Sequence, residues 1–172
     1  MVYIMTYNVD GACRHGGSPR AIGAAACCSM NRRDVCHGWI VRSMKAHPRP
    51  SSQRVALFAI ILALDSTLKR HRKLRDHPDL DVEIRSASRF AVRCMNTWVH
   101  NCARNGWRHS DGARVRDRDL LELAFDLHNN VKLLGSVTYT LVPRYRNQDA
   151  EVRCEDTLDR MEGIEPELKL EY

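Results

Sequence analysis

At 172 residues the chain is long enough to bury one substantial core, and with 44% apolar and 28% charged residues it has the balance of a soluble globular domain. No apolar run approaches the roughly 20 residues of a membrane span, and the N-terminus has no basic-then-apolar leader pattern. Membrane and secreted classes are therefore set aside, and an intracellular protein of nucleus or cytoplasm is expected. The formal charge of +6 suits a polyanionic partner, and seven cysteines without framework spacing read as reduced thiols.

Three apolar segments open the chain, Val2 to Val9, Ala21 to Cys28 and Trp39 to Val41, separated by glycine and polar residues as in an antiparallel meander. In "NVDGACRHGG", Asp10 stands at the end of the first apolar run, and Gly11, Gly16 and Gly17 read as the loop leaving it. A carboxylate there can hold a metal over a sheet or cap a turn, the commoner use of Asp before Gly. "SSQRVALFAIILALDSTLKRHRKL" reads as a long helix capped by Ser51 or Ser52, with apolar surface too wide for one exposed face, so it is expected to pack on both sides.

Pro78 breaks the chain before the strand candidate "LDVEIRSA". A helix from Ser88 to about Cys102 follows, then the Gly-, Asp- and Arg-rich loop "RNGWRHSDGARVRD". Asp119 to His128 reads as a helix, "SVTYTLV" as a strand and Asp149 to Met161 as a last helix. Residues 1–161 form one domain on this reading, and residues 162–172 a loose acidic tail. The order βββαβααβα argues for an α/β layer fold with a mixed sheet.

Two clusters carry structural readings. Cys27, Cys28, Cys36 and His37 lie close together, but adjacent cysteines in a strand point to opposite faces and no second CxxC follows, which argues against zinc. "KRHRKLR", Lys69 to Arg75, holds five Lys/Arg and one His in seven positions. It reads as a solvated helix end, where cations favour the C-terminal dipole, with nuclear import or nucleic-acid contact as the sharper alternatives.

In that order the motifs resemble type 1 ribonuclease H, particularly its fungal-type members. "NVDGACRHGG" is similar to the family's first-strand aspartate and glycine-rich loop, and "SSQRVALFAIILAL" to its long helix. "IRSASRFAVRCMNTWVHNCARNGWR" is similar to its Asp-Ser strand end, following helix and Trp-bearing basic handle. "RDRDLLEL" and "NQDAEVRCEDTL" resemble its last two helix starts. The resemblance runs from about Val2 to Met161 and implies a ribonuclease H-like fold, a five-stranded mixed sheet flanked by helices. The implied activity is divalent-metal hydrolysis of the RNA strand of an RNA/DNA hybrid, with four carboxylates holding two Mg²⁺.

Carried over one position at a time, that carboxylate set does not survive. Asp10 is intact. The helix position that should be Glu is Ala56, the strand-end position that should be Asp is Ala87, and the last helix's Asp falls on Glu151. Asp to Glu keeps the charge but moves it by roughly 1.5 Å, whereas a methyl group cannot ligate Mg²⁺ at all. The resemblance thus leaves at most a weak Mg²⁺ or Mn²⁺ site at Asp10 and Glu151. Asp149 and Asp156 are expected to face away from Glu151, Glu155 to sit a full turn further along, and Asp81 and Glu83 to lie too far down their strand, so none is expected to replace the missing ligands.

The implied binding surface is better kept. Arg49 and Ser51 match a pocket for a DNA-strand phosphate, whose third member is Asp117 here, a charge that repels phosphate. Gln53 matches a side chain that reaches base edges, and Ser52 replaces its Asn neighbour. Trp98 matches the aromatic of a DNA-binding channel, Cys102 replaces a second aromatic, and Trp107 and Arg108 remain in the handle. Each has a structural reading beside it: Trp98 as core, Arg49 as loop decoration, Ser51 as a helix cap, Asp117 as a helix-start charge. The leading expectation is a non-catalytic or impaired protein that binds RNA/DNA hybrid or double-stranded RNA. An active hybrid endoribonuclease and a protein-interaction scaffold are the alternatives.

Overall fold

The computed structural model describes residues 1–45 and 47–164. Its five strands are β1 (Val2–Arg14), β2 (Ile22–Met30), β3 (Cys36–Lys45), β4 (Asp79–Ser86) and β5 (Gly135–Leu141). They lie in the order β3-β2-β1-β4-β5, antiparallel among the first three and parallel from β1 through β4 to β5. The helices are α1 (Ser52–His71), α2 (Arg89–Arg93), α3 (Val99–Arg104), α4 (Arg118–Lys132) and α5 (Gln148–Met161). The mixed sheet and the element order are those of a ribonuclease H-like fold.

The sheet is buried on both faces by different helices, and its composition follows from that. On one face Met5, Tyr7, Val9, Val82 and Ile84 join the main core with α1 and α4. On the other, Ile22, Ala24, Ala26 and Cys28 meet Ala150, Cys154 and Leu158 of α5. Cys27 belongs to the first core and Cys28 to the second, as strand alternation requires. All seven cysteines are free thiols. Because α1 lies between the sheet and α4, residues all round it are buried, including Val55, Leu57, Ile60, Ala63 and Leu64.

Several bounds depart from the sequence reading. β1 runs on past Val9, so Asp10 and Gly11 pair within the strand, opposite Ala26 and Ala25. Gly11 is no loop residue. A Cβ there would lie 2.4 Å from the Val55 carbonyl carbon and 2.6 Å from the Ala56 nitrogen, so its missing side chain is what lets α1 settle onto the strand. Only Gly16 and Gly17 belong to the turn, where Gly17 takes a φ of 80°.

The helix expected from Ser88 to Cys102 is interrupted. Cys94–Trp98 forms a π turn between α2 and α3, closed by the Val99 amide donating to the Cys94 carbonyl. At the end of α1, Lys69 pairs with Asp65 at 2.7 Å and Arg70 donates to the Tyr3 hydroxyl at 3.1 Å, while Arg72, Lys73 and Arg75 face solvent. Glu162, placed in a loose tail by the sequence, contacts Arg14 at 3.3 Å and His15 at 2.7 Å. Residues 165–172 of that tail lie outside the described residues. Among the described residues, no helix is long and apolar enough to cross a membrane.

Candidate functional site

β4 pairs with β1 as far as Ser86 against Val9, and there it ends. Asp10 is the next residue of β1, so its carboxyl emerges where the parallel ladder stops and the chain turns through Ala87 into α2. Ser88 caps that helix, its Oγ accepting from the Ala91 amide at 3.2 Å. α1 approaches from the Gly11 side and brings Ala56. α5 is pinned at its start by Asn147, whose Nδ2 donates to the Val9 carbonyl at 2.7 Å, and its first turn supplies Glu151.

Asp10, Ala56, Ala87 and Glu151 thereby line one cavity of about 340 Å³. Ser52, Ser88, Arg144 and Asn147 share its walls. The four positions named by the resemblance, scattered over the whole chain, all line this cavity. Two of them present methyl groups.

Burial pushes the Asp10 carboxyl up to about 6, and repulsion from Glu151 adds to this. The Gly11 amide and the Arg144 guanidinium pull the other way without cancelling it. Asn147 is buried, and the bond to Val9 fixes its amide so that Oδ1 is an acceptor, one that finds no partner among the described residues. Of the carboxylates set aside earlier, Asp149, Asp156, Asp81 and Glu83 lie outside the lining. Glu155 does not: it reaches the cavity and contributes to the raised Asp10 pKa. Its carboxylate is nevertheless committed to Arg14 at 2.5 Å, one turn of α5 beyond Glu151.

The positions assigned to nucleic-acid contact lie in several separate places. Ser51 caps α1, accepting from the Arg54 amide at 3.1 Å, while Ser52 and Gln53 are exposed on its first turn. Arg49 is exposed and lines a separate small cleft with Pro19, Ala21 and His47. Asp117 does not stand as a free repelling charge. It accepts from Arg54 Nη1 at 3.1 Å, and Arg54 also holds Asp119 through Nη2. Arg54 is only 5% exposed, so this ion group ties the starts of α1 and α4 together inside the fold.

Trp98 sits in the π turn, half-buried with its edge toward Phe90 at 6.1 Å, and Cys102 is buried. Trp107 adopts a φ of 62° and packs edge-on against Phe125. Arg108 is exposed and pairs with Arg114 across a short antiparallel bridge, the base of the handle.

Arg144, Asn147, Ser88 and Arg54 were not singled out by the sequence. The first two lie in "PRYRN", the segment that leads into the last helix. Ser88 follows Ala87 directly and carries a visible capping signal. Arg54 follows Ser52 and Gln53 at the polar start of α1, and no local signal marks it for burial.

The RNase H family profile matches residues 3–136, a span that includes Asp10, Ala56 and Ala87 and stops before α5. Among curated relatives, Ribonuclease H of Nitrobacter hamburgensis is 28% identical over 117 residues, covering 67% of this chain and 66% of its own length. The chain thus spans just under two thirds of that relative. Among solved structures, LC9-RNase H1, described as a type 1 RNase H with the type 2 active-site motif, superposes with a TM-score of 0.68 at 20% identity over 90% of this chain and 71% of its own. LC11-RNase H1, solved in complex with RNA/DNA hybrid, superposes with a TM-score of 0.66 at 17% identity over 91% of this chain and 98% of its own. With the family profile matching most of its length, this chain belongs to the RNase H family.

Proposed function

We propose that the chain binds RNA/DNA hybrid or double-stranded RNA through the ribonuclease H-like face that carries Arg49, Ser51, Ser52, Gln53, Trp98, Trp107 and Arg108, and that its hydrolytic activity is impaired or lost. The observation that carries this reading is the cavity in which Ala56 and Ala87 stand beside Asp10 and Glu151. Divalent metal ions in such a site would supply activation of an attacking water and stabilisation of the leaving oxygen, and would require hard oxygen ligands on both sides.

The donors present do not fit that pair. Asp10 and Glu151 offer two free carboxylates, Asn147 Oδ1 is an unpartnered neutral oxygen, and Glu155 is occupied by Arg14. No group of three or more His, Cys, Asp or Glu is placed to hold a metal among the described residues. At most one Mg²⁺ or Mn²⁺, weakly held by Asp10 and Glu151, suits these donors. What the cavity's own residues supply is a partly protonated acid at Asp10, one cation at Arg144 and two hydroxyls at Ser52 and Ser88.

The binding half of the proposal is supported by the +6 charge and by the exposed cations and half-buried tryptophans along α2, α3 and the handle. The test is one set of samples of labelled hybrid with Mg²⁺ or Mn²⁺, read for mobility shift and for cleavage, with D10A as control. A shift that weakens steeply with salt and leaves the RNA strand intact is expected. Cleavage lost in D10A would overturn the impairment, and the absence of any shift at low salt would overturn the binding and favour a protein-interaction scaffold.

A further inference from the structure

The strand order leaves β3 paired on one side only: it bonds to β2, and among the described residues no strand lies beyond it. Ten residues long, it is the longer of the two sheet edges. A row of unmet N–H and C=O groups of that length templates a further strand unless it is blunted.

Its charge is one-sided. Between Arg32 and Arg49 the chain carries Arg32, Arg33, Arg42, Lys45 and Arg49 against a single acid, Asp34, and Asp34 is drawn off to Arg85 at 2.5 Å. Among the described residues, Arg42 donates to the neighbouring Val41 carbonyl at 3.0 Å and has no acidic partner. The other edge, β5, has no charged residue.

Cations alone are a common guard against edge-to-edge aggregation. An exposed tryptophan is not. Trp39, in the middle of β3, is 58% exposed, and the Arg153 guanidinium lies 4.0 Å from its ring centroid. Arg153 is in turn held by the Asp149 carbonyl at 2.8 Å. Along the same face the strand continues through Val41 and Ser43 into a groove of about 380 Å³ against α5, where Thr157, Arg160 and Met161 form the other wall. That face sets Trp39, Val41 and Met161 beside the hydroxyls of Ser43 and Thr157, with Arg153, Arg160 and Lys45 as cations around them, and Arg42 stands on the opposite one.

We propose that β3 is a docking edge for an extended acidic segment of a partner protein, added as a sixth strand. Alternate apolar side chains of the segment lie along Trp39 and the Val41 groove, and the intervening acidic side chains lie beside Arg42. A second copy of this chain does not suit the edge, because pairing β3 with itself sets two basic stretches side by side.

The test uses the full chain and a labelled eight-residue peptide alternating valine and glutamate, followed by fluorescence anisotropy. A companion peptide with alternate amides N-methylated keeps the charge and loses the ladder. Binding on the order of 10–100 μM is expected, weakened about tenfold or more by N-methylation, by W39A and by R42E/K45E. Equal binding of the N-methylated peptide would reduce the effect to charge and overturn the strand addition. Displacement by RNA/DNA hybrid, or loss of hybrid binding in R42E/K45E, would assign this edge to nucleic acid instead. No binding up to about 1 mM would also overturn the proposal. The readout does not depend on the cavity at Asp10, so a failure here leaves the proposed function standing.

Discussion

Replacing Asp10 with asparagine removes a carboxyl that the fold holds at about 6 against an ordinary value of 3.8. In the interval between those values the native chain binds a proton that the unfolded chain has released. The wild type therefore loses stability as pH rises through that window, while D10N does not. The full difference corresponds to about 3 kcal/mol at about 1.4 kcal/mol per pKa unit. Asp10 is only partly buried, and solvent screening trims this to about 1–2 kcal/mol. For a chain of this size that is about 2–8 °C in Tm. D10N is therefore expected to melt higher than the wild type at pH 8 and within error of it at pH 3.5, by calorimetry or circular dichroism in metal-free buffer. A gap of the same size at both pH values would refute the electrostatic reasoning, as would a wild type that is the more stable at pH 8.

Placing carboxylates by A56E/A87D is expected to raise Mg²⁺-dependent hybrid cleavage above that of the unaltered chain, and to lower Tm by crowding like charges at a buried site; a double variant that folds and binds hybrid but cuts no better would show that the two alanines do not limit the site. G11A is expected to cost at least about 2–3 kcal/mol in urea denaturation, because the new Cβ meets main chain that cannot swing aside. D119N removes a carboxylate that the Arg54 guanidinium holds below its usual range. As its side chain is half exposed, a loss of about 1 kcal/mol near pH 7 is expected, shrinking as pH falls through the folded-state value. W98A is expected to weaken hybrid binding about tenfold in a filter-binding assay while shifting Tm by only a few degrees, since the ring is half-buried.

The strands and the long helix were legible because their residues obey local rules: β-branched and aromatic runs, small residues in a strand covered on both faces, a serine placed to cap α1. Asp10 was legible for its chemistry and misplaced in its backbone, since "DGA" is a turn signal by composition and Gly11 is spent on a close approach of α1 that no neighbouring residue reveals. The convergence of Asp10 with positions 56, 87 and 151 came from family resemblance, because no local spacing encodes a meeting of two strands and two helices. Arg54 illustrates the opposite limit. Its partners lie 63 and 65 residues away, so the charge of Asp117 was legible and its neutralisation was not. The π turn at Trp98 likewise leaves no mark in an apolar periodicity that reads as continuous helix.

The contact between Gly11 and the main chain of Val55 and Ala56 bears on how such a chain can change over generations. The walls beside Asp10 are set by backbone against backbone and by Asn147 anchored to Val9, not by the side chains at positions 56 and 87. Exchanging the side chains at positions 56 and 87 leaves those contacts in place. Chemistry and architecture are in this sense separable here: the first turns on side chains that can be exchanged, the second on a glycine whose replacement meets main chain.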